Sequence, residues 1–342
     1  MSTHTTGTLP RSPRFGVTWS TPVVLFTLLS LPFPLHGQVR FVEKTDGVDI
    51  QVNGKPFSFL HFGKEAGKPY LHPLLTVSGG PDPVTRAFPV DPLPGDSTDS
   101  PHHRGLVIGA ARVNGQDFWE NDPSSTGSGK GTIAFKELTG VRGGEDRGTL
   151  SMLAHWLSEE GRLWLVERRT MTFHAEPMEM RTFDIDLELE AMEPVAFDDQ
   201  RSAIVGLRLA LPFDSHYDGW AANAAGGVRE AEVRGRRSPW LVWIGITSGG
   251  QRMGVAIFDH PSNLNHPTRW EVHDKGFFMA NPFGGRALAQ FDPTAASEDA
   301  AYSMKRGDKL HLRYRVVIYP AEREVRETVG KVNGLFREFG RR

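Results

Sequence analysis

The segment MRTFDIDLELEA, residues 180–191, decides the fold class of this chain. From Phe183 to Leu189 every second residue is apolar, and the residues between them are acidic. Such alternation predicts a β-strand with one buried and one solvated face. The segment KLHLRYRVVIY, residues 309–319, repeats the pattern, and Asn-Gly or Gly-Gly turns recur at strand-length intervals along the chain. The predicted fold class is all-β, mainly antiparallel, and most simply a large β-sandwich.

The C-terminal segment departs from this alternation. In AEREVRETVGKVNGLFREF, residues 321–339, apolar residues recur at helical spacing from Val325 to Phe339, and acidic residues lie in the first turn. This pattern predicts one α-helix that packs against a sheet. The Pro- and Gly-rich stretch 81–101 is a long loop within a domain, because strand patterning resumes on both sides of it. Residues 38–342 are therefore predicted to form a single β-sandwich domain.

Residues 1–37 are predicted to be a signal peptide. Arg11 and Arg14 precede an apolar stretch, residues 20–35, which gives way to polar sequence after Gly37. The residues before Gly37 fit a small-x-small cleavage site poorly, so an uncleaved membrane anchor is the alternative, although prolines in the stretch disfavour a spanning helix. We expect a periplasmic or secreted protein, with no membrane contact beyond the leader.

Composition excludes several classes of function. The 342 residues include 39 Lys and Arg, 41 Asp and Glu, and no Cys. A net charge of −2 with interspersed signs provides no phosphate-binding surface, so nucleic acid is not an expected partner. The absence of Cys excludes thiolate nucleophiles and thiolate metal ligands. No dinucleotide fingerprint, phosphate loop or GxSxG pattern occurs. The oligomeric state is left open.

A first polar cluster lies in PHHRGLVIGAARVNGQDFWE, residues 101–120. The segments LVIGAARV and QDFWE are predicted to be two strands joined by a tight Asn114-Gly115 turn. His102 and His103 would point to opposite faces of an extended strand but could converge in a loop. Arg104 adds a guanidinium that suits an oxygen-rich ligand. The alternative is that one histidine caps a strand end and the other is solvated.

A second cluster, DHPSNLNHPTRWEVH, occupies residues 259–273. It follows a predicted strand and crowds hydrogen-bonding groups and an aromatic ring between prolines: Asp259, His260, Asn263, His266 and Trp270. Ordinary turn chemistry is the alternative for such residues. Because the two clusters together hold five of the 11 histidines outside the leader, we expect the two loops to face one another across one cleft.

Strand parity in RLWLVERRTMTF, residues 162–173, places Glu167 and Arg169 on an otherwise apolar face. An acid and a base there must pair or line a cleft, because an isolated buried charge is costly. We expect Glu167 as a candidate base at the floor of the cleft, with a buried ion pair as the alternative. Metal binding and cofactors are left open, since thiol-free His ligands suit several metals but no HxH, HExxH or EF-hand spacing occurs.

The motifs HHRGL at 102–106 and AIFDHPSN at 256–263, followed by HPTRW and ANPFG, resemble those of exported bacterial proteins known as the PmoA-like or "methane oxygenase PmoA" family. YLHPLLTVSGG at 70–80, TRAFP at 85–89 and ERRTMTF at 167–173 extend the resemblance over nearly the whole mature chain. The resemblance implies a fold similar to the galactose-mutarotase-like supersandwich and a role in carbohydrate utilisation. A methane monooxygenase subunit would need several hydrophobic spans, so the literal label is not adopted.

The chain departs from the family pattern at three places. Ser100 and Phe135 stand where relatives carry histidine, and the run Asp-Gln-Arg-Ser-Ala at 199–203 replaces Asp-Thr-Lys-Glu-Gly. These changes weaken the expectation of conserved catalysis and favour ligand binding.

The predicted function is an exported carbohydrate-directed protein with a small-molecule or oligosaccharide ligand. In the enzyme interpretation, an epimerase, isomerase or lyase-like reaction uses acid–base catalysis. The candidate catalytic residues are His103, Glu167, Asp259 and His260. The candidate ligand-binding residues are Arg86, His102, Arg104, Trp119, Arg169, Asn263, His266 and Trp270, because tryptophan faces and hydrogen-bonding groups together suit a sugar. A non-catalytic carbohydrate-binding protein and a metal-dependent oxidoreductase are the alternatives.

Overall fold

The alternating segments form β-strands, as the sequence predicts. A computed structural model of the chain describes residues 1–4, 7, 38–63, 66–78, 83–124, 127–296 and 298–341. In chain order the strands are β1 (Val39–Glu43), β2 (Gly47–Val52), β3 (Lys55–His61), β4 (Tyr70–Leu71), β5 (Leu106–Ala110), β6 (Thr132–Arg142), β7 (Arg147–Leu157), β8 (Leu163–His174), β9 (Arg181–Ala191), β10 (Val195–Phe197), β11 (Ala203–Arg208), β12 (Trp220–Asn223), β13 (Trp240–Ile246), β14 (Arg252–Asp259), β15 (Arg269–His273), β16 (Phe277–Asn281), β17 (Tyr302–Met304) and β18 (Lys309–Pro320). The helices are α1 (Glu230–Val233), α2 (Arg286–Ala289) and α3 (Val325–Phe339).

These strands form two large antiparallel sheets and one small one. Sheet 1 has the order β1-β2-β3-β4-β5-β11-β16-β15, and sheet 2 has the order β12-β13-β14-β18-β9-β8-β7-β6. Strands β10 and β17 pair separately. Apolar side chains from both large sheets belong to one buried cluster, so the sheets pack face to face as a β-sandwich. The predicted fold class is confirmed.

The core follows the alternation read from the sequence. In β9 the four apolar residues from Phe183 to Leu189 are buried in the cluster between the sheets, and the acidic residues lie on the other face. In β5 of sheet 1, Leu106 and Ile108 enter the same core, while Val107 belongs to a separate cluster on the outer face. Each central strand of sheet 1 therefore has one face in the core and one face on the outside.

Helix α3 covers the outer face of sheet 2, in agreement with the predicted C-terminal helix. Val332 and Phe339 are buried against strand residues that include Phe258, and Val329 and Phe336 are partly buried beside them. The Phe258 ring meets the Phe336 ring edge-on with 5.8 Å between centroids.

The segment 117–120 is not the strand that the sequence predicts. The Asn114-Gly115 turn forms as expected, with both residues at positive φ, and Val113 pairs with Gln116. Beyond it, the Asp117 carboxylate accepts hydrogen bonds from the backbone N–H groups of Trp119 at 2.6 Å and Glu120 at 2.9 Å. This Asx-type turn competes with sheet pairing and bends the chain across the outer face of sheet 1.

Residues 36–342 form one compact unit. The predicted signal peptide, apart from residues 1–4 and 7, lies outside the described residues. Among the helices that the structure describes, none combines the length and the apolar character needed to cross a bilayer.

Candidate functional site

Aromatic side chains collect on the outer face of sheet 1, away from the main core. Tyr70 of β4, Phe277 and Met279 of β16, and Trp119 from the loop after β5 form a small buried cluster with Val107. Because the two faces of a strand carry alternate residues, this cluster uses the positions that the main core leaves free.

Trp119 reaches the outer face because the Asp117 turn directs its side chain away from that of Phe118. Phe118 is buried in the core between the sheets, whereas Trp119 lies on the outside. The ring lies over Gly206 of β11, where a β-carbon would come within 2.4 Å of it. Gly206 is therefore the residue that makes room for the Trp119 ring on this face.

A cavity of about 180 Å³ opens beside this aromatic cluster. Its lining comes from the loop before β5, the Trp119 turn, the residues just before β11, and strands β15 and β16: Ser100, His102, His103, Trp119, Glu120, Arg201, Ser202, Glu271, His273 and Phe277. The volume is below the roughly 300–1,000 Å³ typical of pockets for drug-sized ligands, so it suits a small polar molecule.

The two adjacent histidines meet at this cavity in a loop, the arrangement that the sequence left open. The His102 and His103 rings lie edge to face at 4.2 Å, and His103 stacks on Phe277 at 4.0 Å. The Trp119 indole N–H donates to Nε2 of His103 at 3.2 Å. This bond requires an unprotonated Nε2, which assigns the remaining hydrogen of the neutral ring to Nδ1.

Both histidines are held neutral. Burial, followed by the positive charge of Lys68, lowers the pKa of His102 to about 3, although the Asp122 carboxylate opposes the change. Burial also lowers the pKa of His103 well below its usual value, with His102 and Arg208 adding to the effect. At neutral pH the cavity therefore presents neutral imidazole rings.

A carboxylate and a third histidine form the opposite wall. In β15, Trp270 and Val272 enter the core, so Glu271 and His273 point to the outer face. Glu271 is buried and lies 3.0 Å from Nε2 of His273 and 2.5 Å from the Arg234 guanidinium. Burial favours the protonated acid, but the hydrogen bonds from His273 and Arg234 outweigh it and lower the pKa of Glu271. Glu271 is thus an ionised group that orients His273.

Arg86 holds the loop that carries the histidines. Its guanidinium donates to the carbonyl oxygens of Ser97, Asp99 and Ser100 at 2.8–3.0 Å and pairs with the Asp99 carboxylate at 2.9 Å. Arg86 is buried, so the structure places this predicted ligand-binding residue beneath the loop.

Arg104 is also paired, with the buried Asp122 carboxylate at 2.6 Å. Its guanidinium lies 5.8 Å from the centre of the Tyr70 ring. Lys68 lies nearby and donates to the carbonyl oxygen of Trp119 at 2.5 Å and to the Asn121 amide oxygen. Burial lowers the pKa of Lys68 to about 7. The contacts of Lys68 with Trp119 and Asn121 stabilise the turn that carries Trp119.

The loop after β14 does not face the paired histidines as predicted. Asp259 is fully buried and accepts hydrogen bonds from Asn263 and His266, both at 2.8 Å, and from the Thr268 N–H at 2.9 Å. His260 packs against Phe339 of α3, with 5.1 Å between ring centroids. The start of this loop therefore lies beside α3 on sheet 2, and its polar groups bind one another.

Trp270 and the Glu167–Arg169 pair are parts of the core. The Trp270 indole is fully buried and donates to the Ser238 carbonyl oxygen at 2.8 Å. Glu167 and Arg169 are buried within 2.7 Å of each other, and the Trp156 indole donates to Glu167 at 2.8 Å. The geometry is that of a buried ion pair, the alternative considered from sequence.

Seven lining residues of the cavity were not among the sequence candidates: Ser100, Glu120, Arg201, Ser202, Glu271, His273 and Phe277. The alternation in β15 could have predicted that Glu271 and His273 share the outer face, because they alternate with the core residues Trp270 and Val272. Across the part of the chain that the structure describes, no group of three or more His, Asp or Glu side chains is arranged to hold a metal ion.

The fold and the cavity define an antiparallel β-sandwich with a polar site on the outside of one sheet. Residues 47–332 match the model of DUF6807, described as a family of unknown function, and the chain belongs to this family. A search of curated proteins finds no match. The PmoA-like resemblance stays a prediction.

Several solved structures are similar at low identity. A protein described as a kojibiose phosphorylase from the human microbiome is 7% identical with a TM-score of 0.34; the match covers 61% of this chain and only 23% of that chain. A protein described as an aldose 1-epimerase from Klebsiella pneumoniae is 7% identical, with a TM-score of 0.40 and coverage of 89% and 87%. A galactose mutarotase related enzyme from Lactobacillus acidophilus is 10% identical, with a TM-score of 0.32 and coverage of 84% and 99%.

Proposed function

We propose that the protein is carbohydrate-directed and binds a sugar in the cavity on the outer face of sheet 1. The observation that carries this proposal is the polar lining: neutral histidines and ionised Glu271 face a space of about 180 Å³, with the buried rings of Trp119 and Phe277 packed beside them. A pyranose carries several hydroxyl groups, and each of them needs hydrogen-bond donors and acceptors of this kind.

The same groups can move a proton at an anomeric centre. Glu271 accepts the hydrogen bond from Nε2 of His273, which leaves Nδ1 of His273 as an acceptor for the proton of the anomeric hydroxyl. The negative charge of Glu271 then stabilises the imidazolium that forms. A neutral His102 donates a hydrogen bond to the ring oxygen as the ring bond breaks, and solvent at the mouth supplies the proton that this oxygen takes up.

Ligand screening and turnover measurements together test this proposal. Thermal shift against a panel of monosaccharides and disaccharides identifies a ligand, and nuclear magnetic resonance of that ligand measures its conversion. We expect His273→Gln to lower turnover at least tenfold with little change in binding. His311→Gln, at an exposed site on sheet 2, is the matched control and leaves both unchanged.

The outcomes separate the alternatives. Binding without turnover in the wild-type protein would establish the non-catalytic binding function. No binding of any sugar in the panel would reject a carbohydrate function. Turnover that persists in both His273→Gln and His102→Gln would reject the catalytic assignment.

Export is part of the proposal and rests on the apolar leader between Arg14 and Gly37. N-terminal sequencing of protein secreted by a bacterial host should begin near Gln38. An intact leader recovered in the membrane fraction would support the anchor instead.

A further inference from the structure

A second cavity, of about 580 Å³, lies between strand β3 and the loop of residues 83–93. This volume is within the roughly 300–1,000 Å³ typical of pockets for small-molecule ligands. None of the described residues that line it also lines the cavity of His102 and His103. The two cavities can therefore bind different molecules.

The lining of this second cavity is mostly apolar. Side chains from β3, from the segment after β4 and from the loop form its walls: Pro56, Phe59, Pro73, Leu75, Ala87 and Leu93. Of the loop residues that line it, Val90 is 37% exposed and Leu93 is 55% exposed. Apolar side chains left exposed around a concave surface are typical of a ligand-binding groove, so the cavity suits a ligand with an apolar body.

The walls of the cavity are held in place by hydrogen bonds. The Leu75 N–H donates to the Phe57 carbonyl oxygen of β3 at 2.9 Å. The Asp96 carboxylate accepts from the backbone N–H groups of Phe88 and Leu93, both at 3.1 Å. The cavity is thus preformed, which lowers the entropic cost of ligand binding.

His61 offers a hydrogen-bond acceptor at this cavity. Its Nε2 lies 2.8 Å from the carbonyl oxygen of His72, and because a carbonyl only accepts, Nε2 carries the hydrogen. Burial lowers the pKa of His61, although the hydrogen bond to His72 opposes the change, so the ring is neutral and Nδ1 keeps its lone pair. Nδ1 has no hydrogen-bond partner among the described residues and is not one of their enclosed polar atoms. The ring is oriented by stacking on Tyr70 at 4.4 Å.

The lining gives an ion little stabilisation. Among the described residues that line the cavity none is Lys or Arg, and Asp91 is the one carboxylate. Burial lowers the pKa of His72 to about 4, so this second histidine is neutral as well. A carboxylate ligand would find no cation in the lining, and an ammonium ligand would gain little from Asp91, because this side chain is exposed.

Two lysines lie close to the cavity but outside its lining. Lys44 is 5.4 Å from the centre of the Phe59 ring and pairs with Asp49 at 2.7 Å. Lys55 donates to the Val77 carbonyl oxygen at 3.3 Å. Both ammonium groups therefore have partners elsewhere, and the cavity favours an uncharged ligand.

We propose that this second cavity binds a neutral phenol, with the aromatic ring between β3 and the loop and the hydroxyl group donating to Nδ1 of His61. The apolar walls suit the ring, and a phenolic hydroxyl is more acidic than an aliphatic one and so donates more strongly to an imidazole. This inference goes beyond the proposed carbohydrate function and does not rest on it.

Two probes that differ at one group test the inference by isothermal titration calorimetry. They are para-ethylphenol and para-ethylanisole, in which a methyl ether replaces the hydroxyl group. We expect para-ethylphenol to bind about tenfold more tightly, because it alone can donate to His61. The anion para-ethylbenzoate, of similar shape, should bind more weakly than para-ethylphenol.

The variant His61→Phe keeps an aromatic ring beside Tyr70 and removes the acceptor. It should abolish the preference for para-ethylphenol and leave the affinity for para-ethylanisole unchanged. His311→Phe, at an exposed site on sheet 2, is the matched control and should keep the preference.

Methyl nuclear magnetic resonance of the wild-type protein locates the probe without any substitution, so the test stays decisive if His61→Phe fails to fold. Addition of para-ethylphenol should shift the methyl signals of Leu75, Val90 and Leu93. The methyl signal of Met178, an exposed apolar residue outside the cavity, should not move.

Three results would overturn the inference. The first is equal affinity for the phenol and the ether, or a preference that survives His61→Phe. The second is a shift at Met178 as large as those in the cavity, which would show adsorption to apolar surface in general. The third is para-ethylbenzoate binding as tightly as para-ethylphenol. Each of these results leaves the proposed sugar site standing, because the two cavities share no lining residue.

Discussion

Asp259 shows how one carboxylate can fix a loop that resembles a reaction centre. Its oxygens accept hydrogen bonds from the Asn263 amide, the His266 ring and the Thr268 N–H while the side chain is fully buried. A dense set of histidine, asparagine and aspartate is thus satisfied internally. Buried polar groups are hydrogen-bonded as a rule, so density of polar residues by itself does not distinguish a binding site from a loop anchor.

Replacing this carboxylate should therefore affect stability. We expect Asp259→Ala to lower the free energy of unfolding by about 2 kcal/mol or more, because two side-chain donors and one backbone donor lose a charged acceptor. Urea denaturation followed by tryptophan fluorescence measures the change. Asp186→Ala, at a half-exposed position of β9, is the control and should change stability by less than about 0.5 kcal/mol.

The buried pair of Glu167 and Arg169 should behave as a structural unit. Glu167→Ala leaves an uncompensated guanidinium in the core, so we expect a loss of about 3–5 kcal/mol. Replacing both residues by Leu and Met should recover much of this loss, because no lone charge remains. A double-mutant cycle of unfolding free energies tests this coupling, and additive losses would contradict it.

At the scale of elements, the contact between α3 and sheet 2 has an acid-sensitive group beside it. Asp184 of β9 binds the Arg315 guanidinium at 2.5 and 2.8 Å and the His174 ring at 2.8 Å, and Arg315 lies over the Phe339 ring of α3 at 4.8 Å. Burial raises the pKa of Asp184, but the hydrogen bonds from Arg315 and His174 outweigh it and lower the pKa to about 2.

This lowered pKa predicts a pH dependence of stability. Because the folded-state pKa of Asp184 lies below its ordinary value of 3.8, the group contributes about 2 kcal/mol above that pH, and the contribution is lost as the pH falls towards 2. Asp184→Asn should be less stable near neutral pH and should lose less stability on acidification. Urea midpoints of both proteins between pH 5 and 2 check the difference; parallel curves would disprove it.

The apolar face of α3 should also be essential to its docking. Phe339 is buried against Phe258, so Phe339→Ala removes a large ring from a packed contact and should cost about 3–5 kcal/mol. Arg326→Ala, on the exposed face of the same helix, is the control. Thermal unfolding of the two variants measures the contrast.

Strands and the helix could be predicted because their signals are local. Alternation from Phe183 to Leu189 and helical spacing from Val325 to Phe339 each lie within one segment, and the structure confirms both. The prediction of a second strand after Asn114-Gly115 was wrong, because the Asp117 turn forms there in place of sheet pairing. Such a turn depends on one side chain and does not alter the apolar pattern.

At the scale of the whole molecule, the sequence could not show which part of the second histidine cluster lies beside His102 and His103. The segment 259–273 leaves β14 in sheet 2 and enters β15 in sheet 1, so its two ends belong to different sheets. His260 stays beside α3, and His273 reaches the cavity that His102 and His103 line. Which end would join the site depends on sheet topology, which the order of residues in one segment does not reveal.

Because side chains of both sheets share one core, residues 36–342 should unfold in a single transition. Tryptophan fluorescence and far-ultraviolet circular dichroism should give coincident urea curves. Two separated transitions, or two stable fragments after limited proteolysis, would show that the sheets are independent.

Because the cavity lies on the outer face of sheet 1, alternate residues of strand β15 have different surroundings: one set faces the core and the other faces the cavity. Trp270 and Val272 pack in the core, and Glu271 and His273 line the cavity, so either set can be substituted without changing the other. Deleting one residue ahead of them would exchange the two sets, sending carboxylate and imidazole inward and the indole outward. Substitutions at Trp270 or Val272 should therefore lower stability, and substitutions at Glu271 or His273 should affect the proposed ligand binding. A one-residue shift of the strand register should disrupt both.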